Sequence, residues 1–334
     1  MKDCSKDLRN YHDDDVTLGA AQRKEMRDRR DTNRERLHRG LEANDKHQPD
    51  FHIIQGSYAM KTMTQHPDRE YDIDDGTAFA LQKLQNKNGT PMTPQQAKEI
   101  VRDGLISGGG LKSDPEIKKN CVRVSYAPGY HVDIPVYRIV KIGEVENQEL
   151  ASDEWRESNP TEINDWFSVE EKKTHIVDDD EPQLRRLVRL TKVYSRNNLG
   201  DDALSGLILT VLAAECHFGH KREDEAFRDL LRNLKIRLSG NKRVFNPANH
   251  SEELSKESDK AKIDAFIQQI DKTLSELEVL EKANCRRSEA LKAWKETFKM
   301  DYFDSDIAAA EDEERHQSEE AVRKLATAPK PWCP

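Results

Sequence analysis

The sequence predicts an α+β protein of two lobes, a sheet-containing lobe to about residue 180 and a helical lobe from 181 onward. Three observations carry this. Short stretches between residues 51 and 140 alternate apolar with polar residues or run through Val and Ile, the patterns of strands. From Glu181 onward nearly all apolar residues recur at helical spacing. Between the two, residues 141–180 are acidic and without a clear period. A cleft between two such lobes is the usual place for a ligand.

Composition narrows the class. The 334 residues hold 54 Lys and Arg against 63 Asp and Glu, a formal net charge of −9. That balance argues against general coating of nucleic acid, which needs a broad basic surface. Charged residues reach 35%, yet the apolar segments are too periodic for a disordered chain. The five cysteines (Cys4, Cys121, Cys216, Cys285 and Cys333) are scattered without a C-x-x-C pair. They read as free thiols of a reducing compartment. No signal-peptide pattern and no apolar run of about 18 residues is present, so a cytoplasmic protein without a membrane attachment is expected.

The elements follow in order. Residues 1–15 are polar and are expected to be a flexible lead-in. Residues 16–44 read as one long, sparsely apolar helix (Leu18, Met26, Leu37, Leu41) lying across the surface of other elements. Phe51 to Ile54 is a short strand entering a Gly56-Ser57 turn, and residues 71–81 form a second strand after a polar loop. Thr93 has the character of an N-cap with Pro94 at the first helical position, opening a helix to about Leu105. Asn120–Tyr126 and Tyr130–Val140 pair as a hairpin around Ala127-Pro128-Gly129. Pro135 inside the second arm predicts an edge or a bulge there. Residues 141–180 read mostly as acidic loop with an aromatic patch of Trp155, Trp166 and Phe167. Helices are then expected around 184–194, 204–212, 222–238, 263–277, 291–298 and 305–326, with 327–334 a flexible tail. The domain organisation is therefore 16–180 for the sheet lobe and 181–326 for the helical one.

The chemistry concentrates between Gln55 and Gly76. A Gly-Ser turn can offer backbone N–H groups and a hydroxyl to phosphate oxygens. In a strand, Asp72 and Asp74 project to one face. Two adjacent carboxylates repel, and a divalent cation relieves the repulsion. Asp133, inside a β-branched strand, is either an edge residue facing solvent or a third carboxylate for the same site. Three carboxylates from two strands can hold two divalent ions, the equipment of phosphoryl or nucleotidyl transfer. Arg185, Arg189, Lys192 and Arg196 share one helix face. They form either a solvated face or a triphosphate grip, with Lys192 the favoured member. Lys61 follows the Gly-Ser turn closely enough to reach a phosphate, or is an ordinary surface lysine. His217 and His220 beside Cys216 are weakly zinc-like, but a core or capping role is favoured because no fourth partner is evident. Ser-His-Asp, Walker A and G-x-G-x-x-G patterns are absent.

Gly56-Ser57, Asp72-Ile73-Asp74-Asp75-Gly76 and His131-Val132-Asp133-Ile134-Pro135-Val136 resemble the cGAS/DncV-like nucleotidyltransferases of bacterial antiphage defence, a branch of the polymerase-β superfamily. The likeness runs over roughly residues 50–300 and includes Asn164–Phe167, Leu184–Tyr194 with its Lys192-Val193-Tyr194 element, Arg243–Pro247 and Ser288–Lys292. The resemblance implies a polymerase-β-like nucleotidyltransferase lobe, a helical lobe and a long N-terminal helix bridging both. It implies that Asp72, Asp74 and Asp133 coordinate two Mg²⁺, with Mn²⁺ able to substitute. It implies that Gly56 and Ser57 hold a donor triphosphate, that Lys192 meets its outer phosphates, and that Ser205 lies near the nucleotide. The implied activity is synthesis of a cyclic di- or trinucleotide from ATP or GTP, by a monomer that needs no nucleic-acid template. Accessory proteins acting on the C-terminal tail are implied as partners.

Two other readings stay open on the sequence. A nucleotidyltransferase that tails an RNA 3′ end or modifies a protein would use the same carboxylates. RNA tailing would also be expected to show a basic track, and the chain has none. A non-enzymatic binding protein on the same scaffold would be expected to have lost a carboxylate, and all three are present.

Overall fold

The computed structural model describes residues 1–66, 71–126, 129–142, 145–173 and 181–327. The expected tail, apart from Thr327, lies outside them. The remaining elements form two lobes with separate apolar cores.

The first residues correct the sequence reading. Residues 1–15 are not a loose lead-in: α1 (Ser5–Tyr11) and a π-helical turn (His12–Val16) pack into the helical lobe. Cys4, Leu8, Tyr11 and Val16 are buried there, and the Tyr11 ring meets Phe298, Tyr302 and Phe303. Four apolar residues among polar ones give little periodic signal, yet they are enough to anchor a segment whose partners come from the far end of the chain. The long helix begins only at residue 20. α2 (Ala20–Ala43) joins the sheet lobe's core through Met26, Leu37 and Leu41. The crossing between lobes is thus made by the chain around residues 12–18, not by the helix alone. Against α2 lies α4 (Pro94–Ser107), which follows the short α3 (Gly56–Ala59). The two long helices approach so closely that a Cβ on Gly40 would stand 1.7 Å from the Gly104 carbonyl oxygen. Thr93 caps α4 as expected, its hydroxyl accepting from Gln96 N while the Gln96 side chain accepts from Thr93 N.

Strand β2 (Tyr71–Ala80) is the hub of the sheet. β1 (Phe51–Gln55) runs antiparallel to it. After β3 (Glu116–Ile117) and β4 (Val122–Tyr126) come β5 (Tyr130–Ile134) and β6 (Val136–Ile142), which both pair with β2 in parallel. Their register is shared, with Asp74 opposite Asp133 and Thr77 opposite Val136. Pro135 lies between them, where the outer partner changes from β4 to β7 (Val145–Ala151). That change of partner is why a residue without an N–H is accepted inside the sheet.

The stretch 141–180 is also corrected. It holds β7, β8 (Trp155–Glu157) and α5 (Pro160–Lys173), with 143–144 and 174–180 outside the described residues. β7 is polar from Glu146 to Glu149, and only its end, Leu150 and Ala151, is buried and apolar, so its alternation is invisible in the sequence. Trp155 donates its indole N–H to the Met92 carbonyl, and Phe167 enters the helical lobe's core.

The helical lobe comprises α6 (Gln183–Leu199), α7 (Gly206–Cys216), α8 (Glu223–Gly240), α9 (Asp259–Glu276), α10 (Arg287–Phe298) and α11 (Asp304–Thr327). A small hairpin that the sequence reading did not anticipate, β9 (Phe245–Asn246) with β10 (Asn249–Glu253), separates α8 from α9. Tyr194, Phe227, Phe266, Trp294 and Phe298 form its aromatic centre.

Three histidines are held neutral inside the fold. Desolvation lowers His12, His52 and His217, the last two to about 4. His217 is a core residue, and no zinc-like grouping forms among the described residues. Because the folded pKa values lie below the unfolded value of about 6.5, the unfolded chain takes up more protons as the pH falls. The melting temperature should therefore drop as pH falls from about 6.5 to 4, by several degrees in all. Calorimetry across that range checks this, and His217→Gln should flatten part of the acid limb.

Candidate active site

The chemistry-bearing face of the sheet follows from its register. Arg123 on β4, Asp133 on β5, Asp74 on β2 and Gln55 on β1 are successive partners across four strands. Side chains opposite one another share a face, so these four form a row. Asp72 stands two residues before Asp74 on that face, opposite His131. The row opens into a cleft of about 640 Å³ between the lobes, lined by Asp72, Asp74, Asp133, Gly56, Ser57, Lys192 and Arg196 among others.

Gathering carboxylates out of water has an electrostatic consequence. Asp74 is pushed up to about 8 by desolvation, then by the charges of Asp72 and Asp133, with Arg123 partly opposing. Asp133 is buried at 6% exposure and answers Arg123 bidentately, Nε to Oδ1 and Nη2 to Oδ2, both at 2.7 Å. Cys121, at the edge of the cleft, has its thiol raised to about 12 by burial and by Asp133, so it is a neutral group and not a nucleophile. The next carboxylate along β2, Asp75, turns to the opposite face and is engaged by Arg34 of α2.

The Gly-Ser turn sits against these acids. Gly56 has φ +66°, and a Cβ there would fall 2.3 Å from Asp74 Oδ2. Glycine is thus required both by the backbone and by the space the carboxylate occupies. Ser57 lines the cleft beside it.

The cations divide. Lys192 reaches across from α6 to donate to the Thr62 carbonyl and hydroxyl, each at 3.1 Å. Desolvation lowers it to about 8, with Asp72 opposing. Arg196 also faces the cleft, donating to Thr64 and Gln65. Arg185 and Arg189 do not join them: they are held by Glu171 and Glu181. Lys61 does not line the cleft either; it lies on a second cavity, of about 480 Å³, with Arg23, Arg27, Arg185 and Arg189. Two residues past the short helix α3, the φ of +56° at Lys61 turns its side chain away. Ser205 is the N-cap of α7, accepting from Ile208 N at 3.3 Å, and its neighbours Gly206 and Leu207 line the cleft.

Sequence reasoning missed Arg123 and Thr62, and it gave no role to Asn164. Arg123 was legible: the hairpin around residues 127–129 registers Tyr126 with Tyr130, and three steps back along each arm that pairing brings Arg123 to Asp133. Thr62 and Asn164 carry no periodic or chemical signal of their own, whereas the cation spacing on α6 had already marked Arg196. Asn164 of α5 donates to the Ile54 carbonyl at 3.0 Å, and its side-chain oxygen is buried without a partner at the cleft.

The three carboxylates are hard oxygen donors of the kind Mg²⁺ takes. Among the described residues, no three His, Cys, Asp or Glu side chains converge closely enough to form a ready-made metal cage. The fit lies in the donor set and in the unrelieved charge that raises Asp74.

Known proteins resemble this chain in sequence and in fold. Residues 49–137, which span β1 to the start of β6, match the family described as "Cyclic GMP-AMP synthase DncV-like, nucleotidyltransferase domain". A cyclic GMP-AMP synthase of Escherichia albertii is 28% identical over 217 residues, 62% of this chain and 46% of that protein. The chain thus matches about half the length of that relative. Among solved structures, the Bradyrhizobium diazoefficiens CD-NTase CdnG in complex with GTP superposes with a TM-score of 0.69 at 13% identity, covering 92% of this chain and 98% of that one. Vibrio cholerae DncV in complex with the linear intermediate 5′ pppA(3′,5′)pG gives 0.63 at 18%, covering 87% and 94%. At these identities the structures show a shared fold.

Proposed function

We propose that this member of the cGAS/DncV-like nucleotidyltransferases, with its nucleotidyltransferase domain at residues 49–137, joins nucleoside triphosphates with release of pyrophosphate and closes the product into a ring. The observation that carries the reading is the pairing of Asp74 with Asp133 across β2 and β5, with Asp72 on the same face and all three at one cleft. The GTP and the linear pppApG held by relatives of the same fold support purine nucleotides as substrates. A cyclic di- or trinucleotide made in the cytoplasm as an antiphage signal is the product class we assign. The enzyme would act as a monomer without a template, and accessory proteins would engage the tail at 327–334.

In this reading Asp72, Asp74 and Asp133 would hold two Mg²⁺, for which Mn²⁺ could substitute. Bound there, the ions would neutralise charge on the phosphates and make the attacking hydroxyl easier to deprotonate. Gly56 lets the backbone approach, and Ser57 offers its hydroxyl to the donor triphosphate. Lys192 exchanges Thr62 for an outer phosphate oxygen, and Arg196 stands one helical turn further along. The site works by positioning and charge neutralisation, since phosphoryl transfer asks little covalent chemistry of the protein.

The experiment is incubation of the purified protein with Mg²⁺ and labelled NTPs, followed by phosphatase. A low-mass, phosphatase-resistant product supports the reading. Label found only in added RNA or in protein overturns it.

Lys192 gives a second check. Lys192→Met is expected to raise KM for the nucleotide about tenfold, the loss of roughly one charge-assisted hydrogen bond. Because desolvation brings Lys192 to about 8, the wild-type KM should rise as pH climbs through and above that value. Lys192→Arg, which stays charged, should move that limb upward. A KM flat to pH 9.5 would remove Lys192 from the phosphate grip.

A further inference from the structure

From the row of residues on the sheet we infer that Arg123 is a positioning residue, which clamps Asp133 so that its carboxylate presents oxygen lone pairs to a divalent cation in the cleft. The inference rests on the proposed function only for what the cation does; the clamp concerns cation binding itself.

Four observations carry it. First, Arg123 is the direct register partner of Asp133 in the antiparallel pairing of β4 with β5, so the pair is set by the sheet and not by a flexible reach. Second, both guanidinium arms are used, Nε on one carboxylate oxygen and Nη2 on the other, each at 2.7 Å. A planar fork fixes the plane of the carboxylate, which an ammonium, a single point of charge, would leave free to turn. Third, Asp133 lines the cleft and Arg123 does not. The fork therefore comes from the flank. Each carboxylate oxygen carries two lone pairs, and the fork takes one on each, leaving the others for a cation. Fourth, Glu116, the other register partner of Arg123, is engaged by Lys118, so the fork is directed to Asp133.

The other side-chain partner of Asp133 is the Cys121 thiol, a weak donor that does not fix the plane of the carboxylate. Without the fork, a carboxylate on a strand rotates about two side-chain torsions and must be ordered by the cation itself. Arg123 removes that cost before the cation arrives.

The test is a double-mutant cycle on Mn²⁺ binding, read by electron paramagnetic resonance of free Mn²⁺, with no nucleotide present. Arg123→Lys keeps the charge and loses the fork. Asp133→Asn removes the clamped oxygen. We expect Arg123→Lys to weaken Mn²⁺ binding at least threefold, and Asp133→Asn to weaken it more. In the Asp133→Asn background, Arg123→Lys should add less than twofold, because the two act through one contact. Melting curves confirm that each variant is folded.

Unchanged or tighter Mn²⁺ binding in Arg123→Lys overturns the clamp. So does an equal loss in both backgrounds, which would make Arg123 act elsewhere. If the cycle holds but no nucleotides are joined, the clamp stands and the proposed reaction falls. Should nucleotides be joined while the cycle is additive, the reaction stands and the clamp falls. A wild-type protein that binds no Mn²⁺ overturns both. In the joining reaction, Arg123→Lys should lower kcat at least tenfold and leave the nucleotide KM within about threefold, a split that general loosening of the fold would not produce.

Discussion

Asp74→Asn is expected to reduce nucleotide joining by at least about a thousandfold, which corresponds to about 4 kcal/mol of transition-state stabilisation. The argument starts from position. Asp74 is the middle carboxylate, opposite Asp133 on β5 and two residues from Asp72 on the same face of β2. An amide of the same shape keeps the space next to Gly56 filled and takes away the charge that would hold a divalent cation. The loss is therefore chemical and not structural. Stability separates the two. The folded pKa of Asp74 is about 8, above the ordinary value of 3.8. A group raised on folding contributes most when protonated, and that contribution is lost as pH rises through the folded pKa. Asparagine avoids the cost of burying the charge. The variant should melt at or above the wild-type temperature, with a difference that grows between pH 4 and 8 and levels off beyond. Activity that survives in Asp74→Asn would show that other carboxylates do the work, and a lower melting temperature at pH 8 would show that the amide disturbs the site's packing.

Arg186→Ala is expected to cost about 3–5 kcal/mol of stability, or on the order of 10 °C in melting temperature. Arg186 on α6 is 1% exposed and Glu223 at the start of α8 is 4% exposed. The pair is bidentate, Nε to Oε1 at 3.1 Å and Nη2 to Oε2 at 3.0 Å. Arg186 also donates to the Glu181 carbonyl at 2.6 Å, and Gln183 donates to Glu223 at 3.2 Å. Removing the guanidinium leaves a buried carboxylate without its counter-ion, which is the costly part. Replacing both members, Arg186→Leu with Glu223→Leu, should recover most of the loss, because the desolvation of both charges disappears together. Denaturant unfolding of the two variants measures the difference. A single variant that loses less than about 1 kcal/mol would mean that water reaches Glu223.

Both predictions concern charges whose meaning depends on their neighbours, and that is where reading the sequence succeeds and fails. The cap at Thr93, the two arms of the hairpin and the placement of Asp72 with Asp74 on one face were legible. Each rests on a local period or a local hydrogen bond, a matter of residues a few positions apart. The N-terminal helix was not legible. Its buried Tyr11 is met by Phe298, Tyr302 and Phe303, nearly 300 positions away. β7 was missed because its run from Glu146 to Glu149 is polar throughout and shows no alternation.

The four-cation face of α6 marks the division. Helical spacing by itself put Arg185, Arg189, Lys192 and Arg196 on one side. Packing then gave Glu171 to Arg185 and Glu181 to Arg189, leaving Lys192 and Arg196 at the cleft. What the sequence alone determined is the strongly periodic elements and the face each residue takes on its own element, because backbone geometry repeats with a period that neighbouring residues share. What only the tertiary structure decided is the partner of each charge. An arginine can satisfy any carboxylate brought within reach, and which one arrives depends on elements folded from distant parts of the chain. The carboxylate row obeys the same division: alternation aligned Asp72 with Asp74, and the parallel pairing of β2 with β5 brought Asp133 beside them.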